Sequence, residues 1–302
     1  MKAAVIRAYG APEVLKYEEV PDPTIGPGEV LVKVVATSVN PFDVKLRSGQ
    51  MKEYMPLTFP AILGWDVSGV VQEIGPEVRT FSVGDRVFSH APQTYATLCA
   101  VKAVDLAKIP DGMEFFEVAA LPTVTTTGAQ LADLALGDKS SGTVLVTGAV
   151  GNVGRSAVCQ AKQRGARVIA GVLKRQVEEA RSINADGVLA LDDAKAVDSL
   201  EPLDAVADTI NGPVADKLIT KIKKGGVFAT VLGPPSTASA YPDVRVEAME
   251  VTPAAATMLR MAEAVRNGKL TIPLGQQFPL KDADKAHAAA ENHAVGKIIL
   301  MA

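Results

Sequence analysis

The sequence predicts an α/β protein made of a β-rich domain and a doubly wound parallel sheet. Its first 110 residues hold short β-branched segments separated by Pro and Gly, which is typical of a small barrel-like β domain. After Pro110, Ala-, Leu- and Thr-rich helical stretches alternate with short apolar strands. Within this second part, residues 142–175 give a strand, a glycine turn, a helix and a second strand, which is the size of one βαβ unit.

The bulk composition narrows the class of protein. A length of 302 residues allows two domains, and 48% hydrophobic with 22% charged residues is typical of a globular chain. The net charge of −3 predicts no nucleic-acid partner, and no apolar run is long enough to span a membrane. Two cysteines suit a reducing compartment, and the N-terminus lacks a signal peptide, so we expect a cytoplasmic protein.

The β-rich domain is predicted from apolar segments bounded by turn residues. Its strands are expected at residues 3–8, 15–20, 30–39, 69–75, 81–88, 95–101 and 106–109. The C-terminal tail is again β-rich, with a strand at 270–278, a helix at 283–290 and a strand at 298–301. We therefore place residues 1–114 and 266–302 in the first domain and residues 115–265 in the second.

The second domain is predicted from regular alternation. Helices are expected at 113–119, 124–134, 155–164 and 177–183, with strands at 143–147, 168–173, 187–191, 205–209 and 226–232. Such alternation indicates a parallel sheet covered on both faces. Residues 244–251 suggest an outer strand, and 253–267 a helix with Thr252 as its N-cap.

The glycine turn predicts a dinucleotide site. Gly148 and Gly151 would let the backbone approach a pyrophosphate, and Gly154 would let the helix pack close to the strand. The helix start offers N–H groups and the positive end of its dipole. A plain strand-to-helix turn is the alternative. The residues expected to bind cofactor are Gly148, Ala149, Gly151, Asn152, Val153 and Gly154.

The end of the second strand predicts NADP(H) as the cofactor. An acidic residue there would bind the ribose 2′-hydroxyl of NAD, but residues 169–177 contain none. Lys174 and Arg175 stand there instead, and two cations suit a 2′-phosphate. A solvated, charged helix start is the alternative.

Five motifs in order carry a family resemblance. They are Gly-Glu-Val-Leu-Val-Lys-Val at 28–34, Ser-Val-Asn-Pro-Phe-Asp at 38–43, Gly-Trp-Asp-Val-Ser-Gly at 64–69, Val-Gly-Asp-Arg-Val at 83–87 and the glycine turn. The chain resembles the medium-chain dehydrogenase/reductase superfamily, in its zinc-free, zeta-crystallin-like quinone oxidoreductase branch. The resemblance implies a GroES-like catalytic domain, a Rossmann NADP(H)-binding domain, and hydride transfer to a quinone or an α,β-unsaturated carbonyl.

Residue types argue against a metal site. Alcohol dehydrogenases of this superfamily place a Cys near Asn40 and a His in a Gly-His-Glu motif, whereas this chain has Gly-Trp-Asp. Its three histidines and two cysteines form no zinc-ligand spacing, so no metal is predicted. We expect Trp65 to fill the ligand space and His287 and His293 to lie at a solvated surface. His90 is interpreted as a loop histidine, with a substrate contact as the alternative.

The residues expected to act on substrate follow the long third strand. Asn40 could donate its amide N–H to a carbonyl oxygen or to the cofactor, or could simply start a turn. Asp43 could orient a water or a partner, or cap the next helical turn. Tyr54 could be a phenolic donor or a stacking ring, or a mobile surface residue.

The resemblance also implies further cofactor contacts in the second domain. Thr127 is similar to family residues that touch the nicotinamide ribose, although it could be a plain helix-face residue. Asp208, Leu232 and Gly233 end the fourth and fifth strands, where cofactor lies in open α/β sheets, and their backbone groups are expected to matter most.

Two competing functions and one assembly remain open. An enoyl-thioester reductase would want a basic patch, for which Lys45, Arg47 and Lys52 are candidates. A non-catalytic NADPH-binding protein would keep the same glycine turn. The outer strand at 244–251 predicts a homodimer, since an apolar edge strand invites pairing across a two-fold axis.

Overall fold

The computed structural model describes residues 1–138 and 142–302. Its strands and helices over those residues are, in chain order, β1 (Lys2–Ile6), β2 (Lys16–Glu19), β3 (Glu29–Ser38), α1 (Pro41–Ser48), β4 (Ala61–Ile62), β5 (Asp66–Ile74), β6 (Arg86–His90), β7 (Leu98–Lys102), β8 (Leu106–Lys108), α2 (Phe115–Ala119), α3 (Pro122–Leu136), β9 (Thr143–Thr147), α4 (Asn152–Gln163), β10 (Arg167–Val172), α5 (Val177–Ala180), β11 (Gly187–Ala190), α6 (Ala194–Asp198), β12 (Leu203–Asp208), α7 (Pro213–Leu218), β13 (Ile222–Thr230), β14 (Arg245–Ala248), α8 (Ala255–Arg266), β15 (Leu274–Pro279), α9 (Ala283–Glu291) and β16 (Lys297–Met301).

The chain divides into two compact units. The first contains Met1–Thr123, Pro253–Asn267 and Ile272–Ala302, and the second Val124–Thr252 and Gly268–Thr271. We expected α8 in the second domain, whereas it lies in the first unit and packs against β8. Its N-cap is Ala254, so the prediction of Thr252 is wrong. The Thr252 backbone instead exchanges hydrogen bonds with the side chain of Gln130 at 2.7 and 3.1 Å.

The first unit is built around β3. A small antiparallel sheet has the order β2-β1-β4, and a larger one the order β15-β16-β3-β5-β6-β8. β3 pairs with β5 along one edge, while β7 and β16 share the other, with β16 beside its last residues, Ala36–Ser38. The last strand of the chain therefore runs next to the start of α1.

The second unit is a six-stranded parallel sheet. Its order β11-β10-β9-β12-β13-β14 is the doubly wound order, with β9 and β12 adjacent at the point where the order reverses. Successive residues of β9 pack on opposite faces, Val144 and Val146 into one apolar cluster and Leu145 into another. Both faces are thus buried, as in parallel sheets generally. The predicted doubly wound sheet is confirmed, and β14 lies at its edge.

No helix among residues 1–138 and 142–302 is both long enough and apolar enough to cross a membrane.

Candidate functional site

The three glycines of the turn after β9 differ in backbone conformation and in how closely other atoms approach them. Gly148 has φ 59°, and a Cβ added there would lie 2.5 Å from Thr209 Oγ1. A Cβ on Gly154 would lie 2.1 Å from the Gly148 carbonyl oxygen, so α4 needs glycine to pack this closely. Gly151 has an extended backbone at φ −72°, and its added Cβ would approach one atom, the Gly148 oxygen, at 3.2 Å. A side chain at Gly151 would therefore crowd this one oxygen by a few tenths of an ångström, so the packing requires glycine less strictly here than at Gly148 and Gly154.

The start of α4 lies directly after this turn. The N–H groups of its first residues, Asn152, Val153 and Gly154, have no intrahelical acceptor, because a helix leaves its first turn unpaired. The Ala149 N–H donates to the Gly171 carbonyl of β10 at 3.2 Å, which fixes the turn to the sheet. The arrangement offers an anion a helix N-terminus at the switch point of the sheet.

Asp208 holds this switch point together. Its buried carboxylate accepts hydrogen bonds from Thr147 Oγ1 at 2.8 Å and from Thr230 Oγ1 at 3.1 Å. These bonds join the carboxyl ends of β9, β12 and β13. The side chain is thus a structural acceptor, and Leu232, which is 43% exposed, and Gly233 follow at the open edge.

The end of β10 presents two cations and one carboxylate. Lys174 and Arg175 are exposed and form no ion pair within the described part of the chain. The Lys174 N–H donates to Asp192 Oδ1 at 2.7 Å. Sequence reasoning missed Asp192, because it lies 18 residues further on and arrives only through the parallel pairing of β10 with β11.

Thr127 is nearly buried on α3, at 7% exposure. The next residue, Gly128, lies so close to α4 that an added Cβ would be 2.4 Å from the Val153 carbonyl oxygen. Thr127 therefore neighbours the first turn of α4, and its contact with cofactor remains a prediction.

The first unit contains a buried polar cluster at the start of α1. Asp43 caps this helix, since its carboxylate accepts the Asn40 N–H at 2.8 Å and the Gly64 N–H at 3.2 Å. Burial raises the pKa of Asp43 to about 7, against the lowering effect of these two hydrogen bonds. Of the two roles considered for Asp43, these contacts match the capping of a helix.

Asp66 is the central acceptor of this cluster. Its carboxylate accepts hydrogen bonds from the Ser38 hydroxyl, from Asn40 Nδ2 at 2.8 Å and from the Thr123 N–H at 2.6 Å. Lys297 Nζ lies 3.4 Å from Asp66 Oδ2. Burial would raise the pKa of Asp66, but the charge of Lys297 and the hydrogen bonds from Ser38 and Asn40 outweigh it and lower that pKa.

Lys297 was missed by sequence reasoning. It begins β16, is 3% exposed, and donates to Asn40 Oδ1 as well as pairing with Asp66. Burial lowers the pKa of its ammonium, although the charges of Asp66 and Asp43 oppose this. A lysine opening an otherwise apolar terminal strand is the signal that could have identified it.

The aromatic side chains occupy different environments. The Trp65 ring meets Phe42 at 5.6 Å and His90 at 5.8 Å between centroids. His90 ends β6 and is nearly buried rather than in an open loop; burial lowers its pKa, and its Nδ1 has no partner among the described residues. Tyr54, by contrast, is 63% exposed.

The expectation of a solvated His287 is wrong. It lies on the buried face of α9, where its Nε2 is 3.1 Å from the Tyr95 hydroxyl. Burial lowers the pKa of His287 to about 3. His293 is exposed just beyond the helix, as expected.

An apolar cavity of about 310 Å³ opens beside Trp65. Its walls include Leu46, Met55, Leu57 and Leu63, with Gln93 as a polar group. Gln93 has φ 62°, an uncommon conformation outside glycine that often accompanies functional loops.

Candidate metal ligands do not gather in the described ranges. Residues 1–138 and 142–302 contain no group of three or more His, Cys, Asp or Glu that could hold a metal ion. Neither cysteine forms a disulfide with another described residue, and burial raises the pKa of Cys99 to about 12.

Comparison with known proteins agrees with this architecture. Residues 26–113 match the alcohol dehydrogenase GroES-like domain, and residues 183–300 match the family described as zinc-binding dehydrogenase. The chain is 31% identical to the chloroplast envelope quinone oxidoreductase homolog of Arabidopsis thaliana, over 99% of this chain and 98% of that one. It is also 31% identical to the chloroplastic NADPH-dependent alkenal/one oxidoreductase of the same plant, over 99% and 79%.

A solved structure extends the likeness to the whole fold. The quinone oxidoreductase of Coxiella burnetii superposes with a TM-score of 0.84 at 28% identity, covering 100% of this chain and 99% of that one. The glycine turn and the doubly wound sheet suit a nicotinamide cofactor, and the alkenal/one oxidoreductase is NADPH-dependent by name. The chain belongs to the medium-chain dehydrogenase/reductase superfamily, in its quinone oxidoreductase branch.

Proposed function

We propose that this protein is an NADPH-dependent oxidoreductase that delivers hydride to a quinone or an α,β-unsaturated carbonyl without a metal. The observation that carries this proposal is the glycine turn at the switch point of the doubly wound sheet, which leads directly into the N-terminus of α4 and so suits a pyrophosphate. The relatives named as quinone and alkenal/one oxidoreductases support the same acceptor class.

The acceptor class follows from what the side chains can supply. A bound nicotinamide provides the hydride. In the first unit, Asn40 Nδ2 donates to Asp66 at 2.8 Å and lies 3.5 Å from Thr123 Oγ1, so its second hydrogen can be donated to an oxygen that gains negative charge. Quinones and enones are already polarised electrophiles, and they need such hydrogen bonds rather than a Lewis acid.

The cavity beside Trp65 suits a flat, apolar acceptor. Met55, Leu57 and Leu63 offer carbon surface, and the Trp65 ring offers an aromatic face. Gln93 and Thr58 are polar side chains on this wall that could select an oxygenated ring or chain. Tyr54 is not among the lining residues, so we assign it no catalytic contact.

Lys174 and Arg175 are proposed to select NADPH over NADH. Both are exposed at the end of β10, where the ribose 2′ position lies in this fold. Asp192 is engaged by the Lys174 backbone N–H, which leaves the two side-chain cations for a phosphate.

The function is tested by steady-state oxidation of NADPH with 1,4-benzoquinone, 9,10-phenanthrenequinone and a short enone, before and after dialysis against a strong chelator. We expect turnover with at least one acceptor and no loss after chelation. Stoichiometric zinc whose removal abolishes activity contradicts the proposal. NADPH binding without turnover of any acceptor indicates the non-catalytic alternative.

The basic patch considered for an enoyl-thioester reductase lacks one of its three cations. Arg47, one of the three cations considered for a carrier patch, is 1% exposed and ion-paired with Glu291. It is therefore withdrawn from solvent, and activity with an enoyl-CoA above that with simple enones would be needed to revive this function.

A homodimer through β14 completes the proposal. This strand is the edge of the six-stranded sheet, and its four residues are exposed or half-buried. Pairing with a second copy would satisfy the free strand edge. Light scattering after size exclusion should give twice the chain mass of 31.5 kDa, and Val246→Pro should reduce it to one.

A further inference from the structure

Lys297 is buried where a lysine is least expected. It opens a strand whose next three residues, Ile298, Ile299 and Leu300, are all in the apolar core. Lysine is almost never fully buried unless it is paired, because an ammonium loses its hydration. A lysine at this position therefore indicates a role that an apolar side chain could not fill.

The two contacts of Lys297 differ in how many other hydrogen bonds each partner accepts. Asp66 already accepts hydrogen bonds from Ser38, Asn40 and Thr123. Asn40 Oδ1, in contrast, has Lys297 as the donor that the described residues provide. The ammonium thus balances the charge of the Asp66 carboxylate, whereas at Asn40 it fixes the orientation of the side-chain amide.

Orientation matters because an asparagine amide has two ends of the same shape. A rotation of 180° exchanges the acceptor Oδ1 with the donor Nδ2. Lys297 attracts Oδ1 and Asp66 attracts Nδ2, so both contacts select the same rotamer. Nδ2 carries two hydrogens: it donates one to Asp66 Oδ2 at an N···O distance of 2.8 Å, and Thr123 Oγ1 lies 3.5 Å from the same nitrogen. That second distance is long for a hydrogen bond, so a substrate oxygen could compete for this hydrogen.

We propose that Lys297 is a positioning residue that fixes the Asn40 amide so that Nδ2 faces Thr123 as a hydrogen-bond donor for the substrate oxygen. The proposal rests on the proposed function insofar as it assigns substrate to Asn40. The competing explanation is that Lys297 only balances the buried charge of Asp66.

The two explanations are separated by removing both charges. Lys297→Met alone leaves Asp66 buried without a counter-ion and is expected to unfold or weaken the first unit. Asp66→Asn removes the carboxylate that is ion-paired with Lys297, so it serves as the reference background. Adding Lys297→Met to that background should lower kcat by at least tenfold while KM for NADPH changes less than twofold. An unchanged kcat overturns the proposal, because charge balance alone would then explain Lys297.

A double-mutant cycle tests whether Lys297 acts through Asn40. In a background that also carries Asn40→Ala, we expect Lys297→Met to change kcat less than twofold. The same tenfold loss with and without the Asn40 amide overturns the positioning role.

A measurement without substrate keeps the inference distinct from the proposed function. In ¹⁵N spectra of Asp66→Asn, the two Asn40 side-chain amide hydrogens should exchange slowly with solvent and have distinct shifts. Adding Lys297→Met should accelerate their exchange at least tenfold. The side-chain amide of Asn292, which donates to the Ala288 carbonyl at 2.9 Å, is the internal control and should not change.

The outcomes are separable. If no quinone or enone is reduced but Asn40 loses protection when Lys297 is removed, the positioning role stands and the proposed function is wrong. If Asn40 exchange is the same in both proteins, the positioning role is wrong whatever the activity.

Discussion

The glycine turn of the second unit and the polar cluster of the first are built in opposite ways. The turn occupies seven consecutive residues, 148–154, and offers the backbone N–H groups of the helix that starts within it. The cluster joins Asn40 to Lys297 across 257 positions, with Asp66 and Thr123 between them, and works through side chains. A site made of local backbone groups should tolerate substitutions around it. The stability of a site made of distant side chains depends on each buried charge having a partner.

The largest expected effect tests that dependence. Lys297→Met should lower the free energy of unfolding by about 3–5 kcal/mol, because it leaves a buried carboxylate unpaired. Urea unfolding measures the change. The double variant with Asp66→Asn should recover most of the loss, and a double variant as unstable as the single one would show that Lys297 stabilises by packing alone.

The same contrast between local and long-range contacts explains which parts of each site could be predicted from the sequence. The strand Thr143–Thr147, the glycines and the start of α4 are encoded within a short stretch, so their pattern was sufficient. Asn40 and Asp43 were identified as candidates because they follow a long strand. Lys297 was missed: its place at the start of an apolar terminal strand marked it as unusual, but nothing local says that β16 pairs with the end of β3, where Ile299 lies opposite Ser38.

Two errors have related causes. His287 was expected at the surface because the helix sequence is polar, but which face of α9 packs inward is decided by distant residues such as Tyr95. Asp192 was missed because strand pairing, not chain proximity, brings its carboxylate to Lys174. In both cases the deciding contact is long-range.

The second prediction concerns the glycine turn of the second unit. Gly151→Val should weaken NADPH binding at least about 100-fold, or about 2.7 kcal/mol, because its side chain would fill the pyrophosphate space. Calorimetric titration with NADPH measures this, and thermal unfolding should stay near wild type. Gly154→Ala is the contrasting variant: its Cβ would clash with the Gly148 oxygen, so it should lose stability as well as binding. Normal affinity in a folded Gly151→Val protein would show that this turn does not hold the cofactor.

The third prediction asks whether side chains also contribute to the second unit. Lys174→Ala with Arg175→Ala should reduce kcat/KM for NADPH by one to two decades, since a charge-assisted contact to phosphate is worth about 1.5–3 kcal/mol. The value for NADH should stay nearly level. Lys223→Ala with Lys224→Ala removes two neighbouring exposed cations of the same unit and is the matched control. An equal loss with both cofactors, or a wild-type preference for NADH, contradicts the assignment.

The smallest effect concerns pH, to which the glycine turn, having no titratable side chain, should not respond. In the first unit, burial raises the pKa of Asp43 from 3.8 to about 7, so the folded state holds a proton that the unfolded state releases. Asp43 therefore makes the fold more stable as pH falls from 7 towards 3.8.

His287 acts in the opposite direction over nearly the same range. Burial lowers its pKa from 6.5 to about 3, so the unfolded state takes up a proton that the folded state refuses, and stability is lost as pH falls below 6.5. Each slope is about 1.4 kcal/mol per pH unit, and the two oppose each other between pH 6.5 and 4. His287→Gln removes one of them, so its stability relative to wild type should rise by about 1.4 kcal/mol for each unit of acidification in that window. Urea unfolding at pH 6.5, 5.5 and 4.5 measures the difference. A difference that does not change with pH would mean that His287 is protonated in the folded protein and that the first unit is less tightly closed around it than its contact with Tyr95 indicates.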